Sequence, residues 1–104
     1  MACNLTPDPT HAADFIGKAG DSVSLSVKGS VGTARITGGF YAGAAIPINP
    51  ATFVIQPGDN VLDLVIENTL SNDVTLLICE ADSSVLDRFH YDRNNPVLLY
   101  DVKG

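Results

Sequence analysis

The chain has 104 residues, a formal net charge of −6 and 45% hydrophobic residues, and it contains no tryptophan. This length fits one ordinary domain, which can bury a core without cross-links. The absence of a basic patch argues against direct nucleic-acid binding, and no apolar run approaches the ~20 residues that a membrane helix needs.

The acidic excess lies in the second half of the chain. Residues 1–52 carry three acidic and three basic side chains, whereas residues 53–104 carry nine acidic and three basic ones. We interpret this distribution as a solvated acidic surface, and a cation site or a basic partner are the alternatives.

Residues 1–13 contain two prolines and show no hydrophobic periodicity, so we predict a flexible N-terminal tail. The start, Met1-Ala2-Cys3 followed by a polar, proline-containing segment, resembles a bacterial lipoprotein whose signal peptide has been removed. That resemblance implies a lipid anchor on Cys3 and an extracytoplasmic location. The alternative is a cytoplasmic start with an ordinary thiol.

The clearest structural signal is the alternation over residues 21–28. Val23, Leu25 and Val27 alternate with Ser22, Ser24, Ser26 and Lys28. This period of two predicts a strand with one buried face and excludes a helical stripe.

Comparable short runs, separated by Gly, Pro, Asn and Asp, continue to the C-terminus. We predict further strand segments at residues 14–17, 33–37, 38–45, 52–56, 61–67, 74–81, 85–91 and 97–102. Pro57 and Gly58 occupy the two central positions that a type II turn favours. No run with helical spacing appears between these segments.

This spacing of short strands is typical of a two-sheet architecture. We therefore predict an all-β fold: one antiparallel β-sandwich over residues 14–104. An immunoglobulin-like sandwich is favoured, with a jelly roll as the alternative.

Four residues are the candidates for ligand binding: Phe40, Tyr41, Arg88 and His90. Phe40 and Tyr41 lie among glycines, and exposed rings beside small residues suit a contact surface. The alternative is that one ring packs in the core and the other lies along the sheet. Arg88 and His90 alternate on one predicted strand, where they could bind an anion or form a solvated face.

No metal site or cofactor is predicted, because the four Cys and His residues are scattered and the nucleotide-binding and nucleophile motifs are absent. Asp92-Arg93-Asn94 matches the first positions of an EF-hand loop, but Pro96 takes the third ligand position. Cys79 lies in an apolar run, which favours a buried thiol over a disulfide with Cys3.

These observations predict a non-catalytic binding or assembly module, in the form of a small extracytoplasmic lipoprotein domain if the lipoprotein resemblance holds. The alternatives are a calcium-dependent ligand-binding domain and a small hydrolase whose Asp and His residues are gathered by the fold. The predicted partners are a second copy of the chain or another protein. The outward row containing Leu77 on residues 74–81 is the predicted contact, because a two-layer sandwich covers only one face of each sheet. The alternative is a monomer in which a loop of the chain, such as residues 44–50, covers this row.

Overall fold

The computed structural model describes residues 4–48, 50–70, 73–79 and 84–104, which form ten β-strands. In chain order these are β1 (Leu5–Asp8), β2 (His11–Gly17), β3 (Ser22–Gly29), β4 (Ala34–Tyr41), β5 (Ala44–Ala45), β6 (Ala51–Val54), β7 (Asp59–Asn68), β8 (Asp73–Ile78), β9 (Ser84–His90) and β10 (Val97–Lys103). The prediction of an all-β chain is confirmed. None of the described ranges forms a helix, and so none contains a helix fit to span a membrane.

The strands form two sheets, as predicted. One has six strands in the order β1-β2-β10-β7-β4-β5, and the other has four in the order β6-β3-β8-β9. The prediction of a purely antiparallel arrangement is wrong at one pair, because β10 runs parallel to β2. Parallel neighbours need a long connection, and here nearly the whole fold lies between them.

Residues 5–13, which we expected in a flexible tail, form β1 and the first part of β2. These strands make an antiparallel hairpin at one edge of the six-stranded sheet, where Leu5 and Asp8 are buried. The sequence pattern did not predict this strand because it contains Pro7. An edge strand tolerates proline, which has no backbone N–H to donate. Residues 1–3, including Cys3 and its predicted lipid anchor, lie outside the described residues.

The core lies between the two sheets and takes alternate side chains from both. The core contains two aromatic contacts. Phe15 stacks on Tyr100 with 4.4 Å between ring centroids, and Tyr41 packs against Phe53 with 4.3 Å between ring centroids. The aliphatic core residues on β3, β7 and β8 follow the predicted alternation. They are Val23, Leu25, Leu62, Leu64, Ile66, Val74, Leu76 and Ile78.

A β-bulge in β9 shifts the alternation on that strand. Leu77 pairs with Val85 and Leu76 pairs with Asp87, so Leu86 is an extra residue without a partner on β8. Bulges of this kind turn a side chain away from its expected face.

The bulge reverses the predicted faces of Val85 and Leu86. We expected Leu86 to share a face with Arg88 and His90, but Leu86 is 7% exposed while Val85 is 47% exposed. Arg88 and His90 both point outward, beyond the bulge.

Candidate functional site

The four predicted ligand-binding residues do not lie together. Phe40 is on the outer face of the six-stranded sheet, Tyr41 is in the core, and Arg88 and His90 are on the outer face of the four-stranded sheet. The two sheets turn these outer faces in opposite directions. The structure therefore offers two separate candidate surfaces.

Tyr41 serves the interior rather than a contact surface. Its side chain is 4% exposed, and its hydroxyl accepts a hydrogen bond from the backbone N–H of Gln56 at 2.8 Å. Adjacent residues of a strand point to opposite faces, so burial of Tyr41 directs Phe40 outward. This arrangement matches the alternative of one buried ring and one ring along the sheet.

Phe40 belongs to an apolar surface that spans β4, β7 and β10. Asp63 pairs with Phe40 on one side and with Leu99 on the other, so these three side chains form a row across the sheet. Phe40, Val61 and Leu99 are 50%, 55% and 60% exposed. Together with Val97 they form what we call the Phe40 patch, with Asp63 at its centre.

Acidic side chains lie at the centre of the patch and beside it. Asp63 forms no ion pair with any other residue that the structure describes. Asp101 is paired in register with Val61 and with Asp14. Partial burial raises the pKa of Asp101, and the carboxylates of Asp59 and Asp14 raise it further. The nearby Lys103 ammonium acts in the opposite direction and lowers the pKa of Asp101.

The second surface is a basic row on the four-stranded sheet. Lys28 pairs with Thr75, and Thr75 pairs with Arg88, so two cationic side chains flank one hydroxyl on β3, β8 and β9. They line an open depression of about 420 Å³. An adjoining depression of about 290 Å³ shares Thr75 and Arg88 and also contains His90.

His90 is exposed at the end of β9. Its Nδ1 atom lies 3.4 Å from Oδ1 of Asp73, which pairs with it in register. Exposed pairs of this kind contribute little to stability. The sequence indicated Arg88 and His90 but missed Lys28 and Thr75, because register between distant strands is needed to bring them together.

Sequence reasoning also missed a polar cluster at the β1–β2 turn. Ligand atoms of Asp8, His11 and Asp14 lie within 4.8 Å of one another. Lys103 Nζ lies 3.0 Å from Oδ2 of Asp8 and 3.3 Å from Oδ2 of Asp14. The lysine ammonium thus supplies positive charge to the cluster, which links the N-terminal hairpin to β10.

The Asp8 carboxylate is held by its neighbours. Oδ1 of Asp8 accepts hydrogen bonds from the backbone N–H and the hydroxyl of Thr10, at 2.9 and 2.7 Å. These bonds lower the pKa of Asp8, and the Lys103 ammonium lowers it further. Its stabilising contribution is present above the usual carboxyl pKa and is lost as the pH falls below that value.

Two further sequence candidates have structural explanations. Oδ1 of Asp92 accepts a hydrogen bond from the backbone N–H of Asn94 at 2.9 Å, so the Asp-Arg-Asn segment forms an Asx turn. Cys79 is disulfide-bonded, and the prediction of a free core thiol is wrong. Cys79 follows β8 with a φ of 56°, where the strand alternation no longer applies.

Comparison with protein-family models, with curated proteins and with solved structures finds no match to this chain.

Proposed function

We propose that this protein is a non-catalytic binding module that docks a protein partner on the Phe40 patch. The observation that carries the proposal is the exposure of Phe40, Val61 and Leu99 on three adjacent inner strands, around Asp63. Single exposed apolar side chains are ordinary, whereas a contiguous apolar group marks an interaction surface.

The patch is suited to docking because its backbone is already ordered. Phe40 lies between β5 and β7, paired with Ala45 on one side and Asp63 on the other. A phenylalanine ring on a paired strand loses little conformational freedom when a partner covers it. Phe40 is therefore the proposed anchor, and Leu99 and Val61 extend the contact.

The negative charge of Asp63 determines which kind of partner suits the patch. In a two-fold symmetric contact centred on the patch, Asp63 of one copy would face Asp63 of the other, and like charges in an interface are costly. A partner with apolar and basic side chains would cover the patch and neutralise Asp63 at its centre. We therefore propose a different, basic protein as the occupant, in preference to a symmetric dimer.

We also propose that the fold is immunoglobulin-like. The adjacent strands β4, β7 and β10 correspond in order to strands C, F and G of that fold, and β3 beside β6 corresponds to B beside E. The β8–β9 hairpin is a departure, because it lies in the chain between the strands that correspond to F and G.

An extracytoplasmic location is part of the proposal. The disulfide at Cys79 supports it, because disulfides persist in oxidising compartments and are rare in the cytosol. Secretion into such a compartment would also fit an interaction module.

Two short synthetic peptides test the docking proposal by amide NMR of the labelled protein. A peptide of alternating leucine and lysine should shift the amides around Phe40, Asp63 and Leu99, whereas its leucine–glutamate analogue should not. Phe40→Ser should weaken binding of the first peptide by about tenfold or more, because truncating a hot-spot residue costs about 2 kcal/mol or more.

Val54→Ser is the matched control. Val54 is 48% exposed but lies on the other sheet, so this change removes an exposed apolar side chain away from the patch. Equal binding of both peptides, or equal weakening by the control substitution, would reject the Phe40 patch as the docking surface.

A further inference from the structure

We infer that the depression between Lys28 and Arg88 is a binding site for a small phosphate ester. This site goes beyond the proposed docking function, since it lies on the opposite outer face of the molecule. Thr75 lies on β8 between Lys28 of β3 and Arg88 of β9, and all three residues line the depression.

The geometry of the row suits a tetrahedral anion. Neighbouring strands lie about 4.8 Å apart, so the backbones of Lys28 and Arg88 are about 10 Å apart across β8. Both side chains are long enough to converge above Thr75, and the hydroxyl can donate to the same group. Arg88 can offer two parallel N–H donors to phosphate, and Lys28 adds a point charge.

The positive charges of Lys28 and Arg88 are available to a ligand. Neither Lys28 nor Arg88 forms an ion pair within the described part of the chain. The carboxylate of Asp87 accepts hydrogen bonds from Tyr100 and from the backbone N–H of Arg88 instead. Asp73 lies in the adjoining depression beside His90. Two positive charges thus match the dianion of a phosphate monoester.

The apolar side of the depression indicates an ester rather than free phosphate. Leu77 and Val85, which pair across β8 and β9, line it next to the cationic row. The bulge at Leu86 is what turns Val85 outward to this position. A volume of about 420 Å³ accommodates a small organic group beside the phosphate.

Amide NMR titrations with phenyl phosphate and with inorganic phosphate, at constant ionic strength, test this inference. We expect saturable shifts at Lys28, Thr75 and Arg88 with both ligands, and a lower Kd for phenyl phosphate. Lys28→Gln or Arg88→Gln should raise each Kd about tenfold, since each removes a charge-assisted hydrogen bond. Val85→Ser should raise the Kd of phenyl phosphate only.

Lys18→Gln is the control, because it removes the same charge from an exposed turn outside the depression. Shifts that do not saturate, or equal weakening by Lys18→Gln and Lys28→Gln, would overturn the site. Equal Kd values for the two ligands would overturn the ester and its apolar contact. Unchanged amide dispersion in each variant shows that the fold is intact.

Discussion

At the scale of single residues, one hydrogen bond joins the two sheets through side chains. The Tyr100 hydroxyl on β10 donates to Oδ2 of Asp87 on β9 at 2.8 Å, and Tyr100 is 5% exposed. Tyr100→Phe leaves a partly buried carboxylate without this donor. We expect a loss of about 1–3 kcal/mol in the free energy of unfolding, measured by urea denaturation.

Tyr91→Phe is the comparison for that measurement. The Tyr91 hydroxyl donates to the Ile66 carbonyl at 3.4 Å, which is long for an O–H···O bond. If the free energy of unfolding falls as much in Tyr91→Phe as in Tyr100→Phe, the hydrogen bond to Asp87 contributes no more than the long Tyr91 bond does.

Tyr100 also affects how the free energy of unfolding changes at alkaline pH. Burial raises the pKa of Tyr100, and its hydrogen bond to Asp87 raises it further. The resulting stability is complete below the usual phenol pKa of about 10 and is lost as the pH rises above that value, because the unfolded chain then releases a proton that the folded chain retains. In Tyr100→Phe this part of the alkaline decline should be absent from the pH dependence of unfolding.

At the scale of elements, the bulge in β9 decides which of two neighbouring residues supports the core. Leu86→Ala should cost about 2–5 kcal/mol because it leaves a cavity. Val85→Ala should change the free energy of unfolding by about 0.5 kcal/mol or less, because Val85 is exposed. Thermal unfolding of both variants shows which substitution costs more stability. An unbroken alternation along β9 would instead predict the larger loss for Val85→Ala.

Local alternation predicts most strands because it depends only on which side chains face the core. That is why the segments around Val23, Leu64 and Val74 were predicted correctly. The bulge at Leu86 was not predictable, since it depends on how β9 packs against the opposite sheet. The edge strand β1 was missed for a similar reason: its partner β2 and Lys103 hold it in place, and neither is a local signal.

The candidate surfaces were predictable only in part. Phe40 and Arg88 were selected from their local context, but the neighbours that make them sites come from other strands. Asp63 and Leu99 join Phe40 through the β4-β7-β10 order, and Lys28 joins Arg88 across β8. These neighbours require the sheet order and register, which pairing between distant segments determines.

At the scale of the whole molecule, the disulfide at Cys79 should add to stability. Reduction should lower the free energy of unfolding by about 2–4 kcal/mol, which calorimetry with and without a thiol-free reductant can measure. The chain contains one other cysteine, Cys3. Non-reducing peptide mapping should therefore recover the Cys3 and Cys79 peptides linked together.

That mapping also decides the lipid anchor, because one sulfur cannot carry both a disulfide and a thioether-linked lipid. Linked peptides would exclude the anchor on Cys3. A free thiol at Cys79 in protein purified without reductant would contradict the disulfide.

The position of β10 has a consequence for biosynthesis. Of the ten strands, β10 is translated after the other nine, yet it lies inside the six-stranded sheet between β2 and β7. At typical translation rates of about 5–20 residues per second, the ribosome needs several seconds to pass from β2 to β10. Throughout that time the nascent β1–β2 hairpin lacks the neighbour that places it in the sheet, so folding can finish only after translation has passed Lys103.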